Sequence, residues 1–131
     1  MNIEKIRNYK LLYVEDEDVV KEATIPFLSK FFNDIVVANN GQDGFEKFQK
    51  NDFDLVITDM VMPKMSGAKL VEKIKENNPS TTTIIYSAAS PEEIKVEKYC
   101  DIYLQKPIIF EKFMAVLEQL DSIIEKNKKH I

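Results

Sequence analysis

Short apolar runs alternate with longer amphipathic stretches along most of the chain. Five runs rich in β-branched residues predict buried strands: Leu11–Val14, Ile35–Ala38, Leu55–Thr58, Thr82–Tyr86 and the weaker Ile102–Leu104. Between these runs, apolar residues recur at helical spacing, which predicts helices with one apolar face each. The pattern therefore predicts a regular alternation of strand and helix.

An alternation of this kind is typical of parallel strands joined by right-handed crossovers, with helices covering both faces of one sheet. We expect an α/β fold, namely a flavodoxin-like, doubly wound sheet of five parallel strands in the order 2-1-3-4-5 with five helices. The helix between the fourth and fifth strands, about Pro91 to Tyr99, spans barely two turns and should be the least stable.

Composition narrows the class of protein. The chain has 131 residues, 44% hydrophobic and 31% charged, which fits one globular domain. Its single cysteine, Cys100, favours a reducing compartment, and no apolar stretch approaches the ~20 residues of a membrane span. We therefore expect a cytoplasmic protein. The net charge of −4 argues against a direct nucleic-acid ligand, and one cysteine with one histidine cannot complete a zinc site.

Polar residues follow the predicted strands at the edge where a doubly wound sheet binds its ligands. Glu15 and Asp16 follow the first strand, Asp59 the third, Ser87 the fourth and Lys106 the fifth. The first and third strands are neighbours in the expected order, so three carboxyl groups should share one pocket. A divalent cation would relieve their repulsion; Mg²⁺ suits these oxygen ligands best, and Mn²⁺ could replace it. With a lysine opposite, the pocket predicts an aspartyl-phosphate site.

Taken singly, these residues have simpler interpretations. The acidic run from Glu15 to Asp18 could be a solvated helix N-terminus, and Asp59 could cap a turn. Ser87 could be a polar strand end, and Tyr103 a half-buried sheet aromatic. The joint placement of the acids after neighbouring strands favours the interpretation as a reactive site.

From about Lys10 to Leu120, the sequence resembles the receiver domain of two-component response regulators. The resemblance rests on motifs that are specific only together: Leu11-Leu12-Tyr13-Val14-Glu15-Asp16, Asn40-Gly41-Gln42-Asp43-Gly44, Asp59-Met60-Val61-Met62-Pro63-Lys64-Met65-Ser66-Gly67, Ser87-Ala88 and Tyr103-Leu104-Gln105-Lys106-Pro107. It implies a phosphorylation-dependent signalling switch, not an enzyme with a metabolite as substrate.

The resemblance assigns a phosphoacceptor and a metal site. Asp59 would accept a phosphoryl group from a sensor histidine kinase or a phosphotransfer protein. Asp16 would bind Mg²⁺ directly together with Asp59, and Glu15 would assist, through a water molecule if not directly. The backbone carbonyl of Val61 would be a further protein ligand.

The resemblance also assigns the switch. Ser87, with Ala88 beside it in a supporting position, would hydrogen-bond the phosphoryl group and draw its loop inward. Tyr103 would then turn from an exposed to a buried position. Lys106 would pair with the phosphoryl oxygens, and Pro107 would follow it in a cis peptide.

Two features depart from the family pattern. Glu15 stands where aspartate is more frequent, which adds one methylene to the first acidic side chain. The segment between Ser87 and Lys106 is short and lacks the usual glycine before the last strand. The surface that the family uses for output is therefore expected to differ here.

The expected organisation is a receiver domain over residues 1–125 and a basic tail or linker start over 126–131. The last apolar stripe, from about Ile109 to Ile124, exceeds what the sheet needs, so the end of that helix could project towards a fused output domain. A downstream target protein is another expected partner. On activation, a second copy of this chain could bind through the last two helices to form a homodimer.

Two alternative functions remain open at this stage. One is a receiver-like scaffold that is never phosphorylated. The other is a Mg²⁺-dependent phosphatase with an aspartyl-phosphate intermediate. The phosphatase needs a second acid near Asp59, and the residue two positions on is the apolar Val61.

Overall fold

A single parallel sheet forms the centre of the molecule. The computed structural model describes residues 2–90 and 100–129. Its strands run in the order β2-β1-β3-β4-β5, and all pairs are parallel. They comprise β1 (Lys10–Val14), β2 (Asp34–Ala38), β3 (Leu55–Thr58), β4 (Thr82–Ser87) and β5 (Ile102–Gln105). The predicted fold class and strand order are confirmed, with strand ends within one residue of the apolar runs.

Helices connect or flank these strands. They are α1 (Ile3–Arg7), α2 (Asp18–Leu28), α3 (Gly41–Lys50), α4 (Gly67–Asn77) and α5 (Phe110–Lys129). Asn40 and Ser66 cap α3 and α4 through their side chains. The helix predicted at Pro91 to Tyr99 lies outside the described residues.

Alternate residues of the central strands fill two separate cores because successive side chains point to opposite faces. On one face, Leu11 and Tyr13 of β1 belong to the cluster that includes α1, α2 and α5. On the other, Leu12 and Val14 pack with residues of α3 and α4. Burial on both faces explains why the strands appear in the sequence as continuous apolar runs.

The short helix α1 was missed because five residues are too few to show a helical period. Asn2 caps it by accepting a hydrogen bond from the Lys5 backbone N–H at 3.1 Å. The Lys5 ammonium lies 3.2 Å from an Asp121 carboxylate oxygen and 2.9 Å from one of Glu125. These contacts join the N-terminus of the described chain to α5.

The final turns of α5 are held against the body of the domain. Ile124 is fully buried, Asn127 donates a hydrogen bond to Thr82 Oγ1 at 2.8 Å, and the Lys128 ammonium lies 2.7 Å from Asp54 Oδ1. The hypothesis that the end of this helix projects from the domain is therefore wrong for the described residues. The expected boundary at residue 125 falls within the helix.

Replacing Ile6 by alanine is expected to lower the free energy of unfolding by about 2–4 kcal/mol. The side chain is fully buried between the sheet and α5, so truncation leaves a cavity. Ile3→Ala in the same helix is the matched control, because Ile3 is exposed and its loss should cost under about 0.5 kcal/mol. Urea unfolding of both variants measures the difference; equal losses would show that α1 is not docked.

Candidate phosphoacceptor site

Three carboxylates meet at the carboxyl edge of the sheet. Glu15 and Asp16 follow β1, Asp59 follows β3, and the two strands pair directly, with Val14 opposite Thr58. One carboxylate oxygen from each acid lies within 4.8 Å of the others. The register of two adjacent parallel strands thus produces the cluster that the sequence predicted.

Lys106 closes the cluster from the far side. Its ammonium lies 3.1 Å from Glu15 Oε1 and 3.4 Å from Asp59 Oδ1. Burial alone would lower the pKa of this lysine, but the hydrogen bond to Glu15 and the charge of Asp59 outweigh it and raise the pKa. The side chain is therefore a fixed positive charge at neutral pH.

Glu15 is the most deeply buried member of the site. It is fully buried, and burial raises its pKa above the ordinary value. The neighbouring Asp59 carboxylate acts in the same direction, whereas Lys106 and a hydrogen bond from the Glu17 backbone N–H act in the opposite one. Because Glu15 accepts a hydrogen bond from Lys106, the ionisation of Glu15 depends on its contact with the lysine.

Oxygen atoms of the other two acids face the pocket. Asp59 Oδ1 accepts a hydrogen bond from the Met60 backbone N–H at 2.8 Å, which fixes the carboxylate plane. Asp16 Oδ1 is buried and has no hydrogen-bond partner within the described part of the chain. A buried, unsatisfied carboxylate oxygen is costly, and a hard cation is the partner it fits.

The glycine at the start of α4 allows the helix to approach the backbone of Asp59. A Cβ on Gly67 would lie 2.0 Å from the Asp59 carbonyl oxygen, and its N–H donates to the Met60 carbonyl at 2.7 Å. In the sequence, Gly67 stands out only as the last residue of the motif that begins at Asp59. Its role in close contact depends on a tertiary approach that no local pattern shows.

The predicted switch residues lie beside one another. Ser87 is buried, and its Oγ accepts a hydrogen bond from the Ala89 N–H at 3.3 Å. The Tyr103 hydroxyl donates to the carbonyl oxygen of the same Ala89, and its ring packs against the cluster of Met60, Val71 and Ile85. The tyrosine is therefore half-buried and turned towards the β4 end.

The remaining predicted residues flank the pocket. The Lys106–Pro107 peptide is cis, as the resemblance implied. Val61 stands two residues after Asp59, and 76% of its surface is exposed. Ala88 follows Ser87, and its carbonyl accepts a hydrogen bond from the Gln105 side chain at 3.4 Å.

Comparison with known proteins identifies the family. The sequence model of the family described as "Response regulator receiver domain" matches residues 11–118 of the chain. The chain belongs to the response regulator receiver domain family. Receiver domains act as signalling switches rather than as enzymes with a metabolite as substrate, as the sequence predicted. Within the described residues of this receiver domain, no helix is both long and apolar enough to cross a membrane.

The chain is similar to parts of several longer curated proteins. The probable C4-dicarboxylate response regulator DctR of Priestia megaterium is 34% identical over 94% of this chain and 57% of its own length. A cyclic di-GMP phosphodiesterase of Thermotoga maritima is 33% identical over 77% of this chain and 28% of its own length. This receiver domain thus spans little more than half the length of the DctR protein that it matches.

Solved structures share the fold. The N-terminal domain of an uncharacterized protein from Wolinella succinogenes has a TM-score of 0.77 at 29% identity, covering 88% of this chain and 96% of that one. The response regulator TrrA of Thermotoga maritima, solved in complex with Mg²⁺-BeF, has a TM-score of 0.75 at 24% identity, covering 86% of this receiver domain and 99% of that chain. At that identity, the second likeness shows the fold alone.

Proposed function

We propose that this receiver domain accepts a phosphoryl group on Asp59 and thereby switches its surface for partner binding. The observation that carries the proposal is the convergence of three carboxylates and one lysine: one oxygen from each acid within 4.8 Å of the others, with the Lys106 ammonium 3.4 Å from Asp59. An acidic nucleophile beside a fixed cation is the arrangement that phosphoryl transfer requires.

The transfer step uses the Asp59 carboxylate as nucleophile. One of its oxygens forms a bond to phosphorus while the bond between phosphorus and the donor, a histidine nitrogen of a kinase or the acyl oxygen of acetyl phosphate, breaks. The hydrogen bond from Met60 N–H orients the carboxylate. Lys106, already beside Asp59, provides positive charge for the phosphoryl oxygens.

The donor set fits Mg²⁺, and Mn²⁺ could replace it. Asp16, Asp59 and the backbone carbonyl of Val61 would hold the ion, and Glu15, engaged with Lys106, would contribute through a water molecule. The unpartnered Asp16 Oδ1 supports this assignment. When bound, the ion supplies charge neutralisation for the incoming phosphoryl oxygens and removes the repulsion among the three acids.

Ala89 offers a route from the site to the surface. Its N–H donates to Ser87 Oγ, and its carbonyl oxygen accepts from the Tyr103 hydroxyl. A phosphoryl group that draws the Ser87 hydroxyl towards it would also move Ala89. Because the Ala89 carbonyl is the hydrogen-bond partner of Tyr103, the tyrosine would then lose or change that contact. The Ser87–Ala88 loop and Tyr103 form the bistable element that phosphorylation would bias.

The partners would be a sensor histidine kinase or phosphotransfer protein, and a downstream target or fused output domain. The relatives of greater length make an output domain reasonable. A homodimer through the last two helices on activation, and a cytoplasmic location, complete the proposal.

The proposal is tested by intact-mass measurement after incubation with acetyl phosphate and Mg²⁺. The wild type should gain one phosphoryl group, while Asp59→Asn and a magnesium-free sample should gain none. Asp34→Asn is the matched control, because Asp34 is an exposed aspartate at the opposite end of the sheet and should leave the gain intact.

Two results would contradict the proposal. A gain that persists in Asp59→Asn would place the phosphoacceptor elsewhere. A wild type that gains nothing under any condition would favour the unphosphorylated scaffold.

A further inference from the structure

The aromatic ring of Tyr86 lies next to Lys106, one of the residues of the proposed phosphoacceptor site. Tyr86 is the penultimate residue of β4 and is 5% exposed. The Lys106 ammonium lies 5.1 Å from the centre of its ring, a distance at which a cation is attracted to the aromatic face. Lys106 thus has carboxylates as partners for its charge and an aromatic ring as support.

The hydroxyl of the same tyrosine holds the chain that carries Lys106. Tyr86 Oη accepts a hydrogen bond from the Ile108 backbone N–H at 3.1 Å. The Lys106 N–H donates to the Ser87 carbonyl at 2.7 Å. The last two residues of β4 therefore fix the turn on both sides of Pro107, and Tyr86 does so with its side chain.

We propose that Tyr86 is a positioning residue for phosphoryl transfer, whose ring supports the Lys106 ammonium and whose hydroxyl anchors the turn after it. The inference rests on the function proposed above. Such a residue touches neither phosphorus nor the metal ligands; it acts by limiting where the lysine can go.

Open space beside the turn explains why support is needed. Tyr86, Pro107 and Ile108 line a cleft of about 260 Å³ whose other wall is α2, through Ala23, Thr24 and Phe27. Removing the ring would join its volume to this cleft. The turn could then relax towards α2, and Lys106 would move away from Asp59.

The protonation state of Tyr86 is compatible with this role. Burial raises its pKa, although the hydrogen bond from Ile108 and the charge of Lys106 oppose the shift. The phenol is therefore neutral at physiological pH. It supports Lys106 through its ring and does not compete with Glu15 as a counter-ion.

Two variants separate the ring from the hydroxyl. Tyr86→Phe keeps the ring, and Tyr86→Leu removes both features. By NMR, the Lys106 Cε protons of the wild type should be shifted upfield by the ring current, and this shift should persist in Tyr86→Phe and vanish in Tyr86→Leu. With acetyl phosphate at saturating Mg²⁺, Tyr86→Phe should keep at least about half of the maximal phosphorylation rate, whereas Tyr86→Leu should lose about tenfold.

Controls distinguish positioning from general damage. Phe27→Leu, on the opposite wall of the same cleft, should leave the Lys106 shift in place and the rate within about twofold. In a Lys106→Met background, Tyr86→Leu should reduce the rate no further, because there is no ammonium left to position. A merely structural role of Tyr86 would slow both backgrounds equally.

Failure of the inference is distinguishable from failure of the function. If the wild type is phosphorylated and Tyr86→Leu matches it, or if the Lys106 protons show no ring-current shift, the inference is overturned and the function stands. If the wild type takes up no phosphoryl group while Asp59 is intact, both are overturned.

Discussion

Replacing Lys106 by methionine is expected to lower the free energy of unfolding by about 3 kcal/mol at pH 8 in the absence of divalent cations. The change leaves the fully buried Glu15 without its ammonium partner and facing the carboxylate of Asp59. An uncompensated buried charge is far more costly than the loss of an exposed ion pair.

The loss should shrink as the pH falls towards 5. Burial raises the pKa of Glu15 in the folded protein above its ordinary value of 4.5, and Lys106 opposes that rise. Without Lys106, the pKa of Glu15 in the folded protein should rise further above its value in the unfolded chain. The penalty is therefore full above the folded-state pKa and is relieved as the pH falls through it.

Urea unfolding at several pH values measures this dependence. Lys112→Met is the matched control, because Lys112 is exposed on α5 and its variant should track the wild type at every pH. A deficit that stays constant between pH 8 and pH 5 would show that Glu15 is not the group left unpaired. In the presence of acetyl phosphate and Mg²⁺, Lys106→Met should also be phosphorylated far more slowly than the wild type.

The sheet could be predicted from the sequence because buried parallel strands carry their own signal. Leu55–Thr58 is buried on both faces, and the polar residues that follow each strand must gather at one edge once the strands are parallel. The cluster of Glu15, Asp16 and Asp59 then follows from strand order alone.

Other features depend on tertiary contacts that leave no local pattern. The five-residue helix α1 is too short to be stable alone, and it is held by the burial of Ile6 in the core and by the ion pairs of Lys5 with α5. The hydrophobic stripe that suggested a projecting helix end instead packs against the sheet through Ile124. In the same way, Tyr86 is in the sequence only the last residue of the apolar run Thr82–Tyr86, and its contact with Lys106 depends on the folded turn.

The pairing of Lys106 with Glu15 is the clearest case. Sequence reasoning placed the lysine opposite the acids and expected its charge to serve the phosphoryl oxygens. The structure shows a fully buried glutamate as its nearest carboxylate, at 3.1 Å. The extra methylene of Glu15 over aspartate gives that carboxylate the reach for this contact. The departure from the family pattern therefore has a physical consequence at Lys106.

Replacing Gly67 by alanine is expected to displace the backbone that carries Asp59. The new Cβ would lie 2.0 Å from the Asp59 carbonyl oxygen and 2.9 Å from the Met60 Cα, both backbone atoms. Because the backbone must move, we expect a loss of at least about 2 kcal/mol in stability. A displacement of order 1 Å at Asp59 should also slow phosphorylation by acetyl phosphate about tenfold or more.

Gly44→Ala is the matched control for Gly67→Ala. Gly44 also lies in a helix, but its added Cβ would meet the two Val14 methyls at 2.9 and 3.2 Å, which are side-chain rather than backbone atoms. Alanine also favours the helix by up to about 1 kcal/mol, so the loss should be smaller than that of Gly67→Ala. Urea unfolding and phosphorylation rates compare the two variants. If Gly67→Ala behaves like Gly44→Ala in both measurements, the loop that carries Asp59 is not fixed by its contact with α4, and the site must derive its rigidity from the sheet alone.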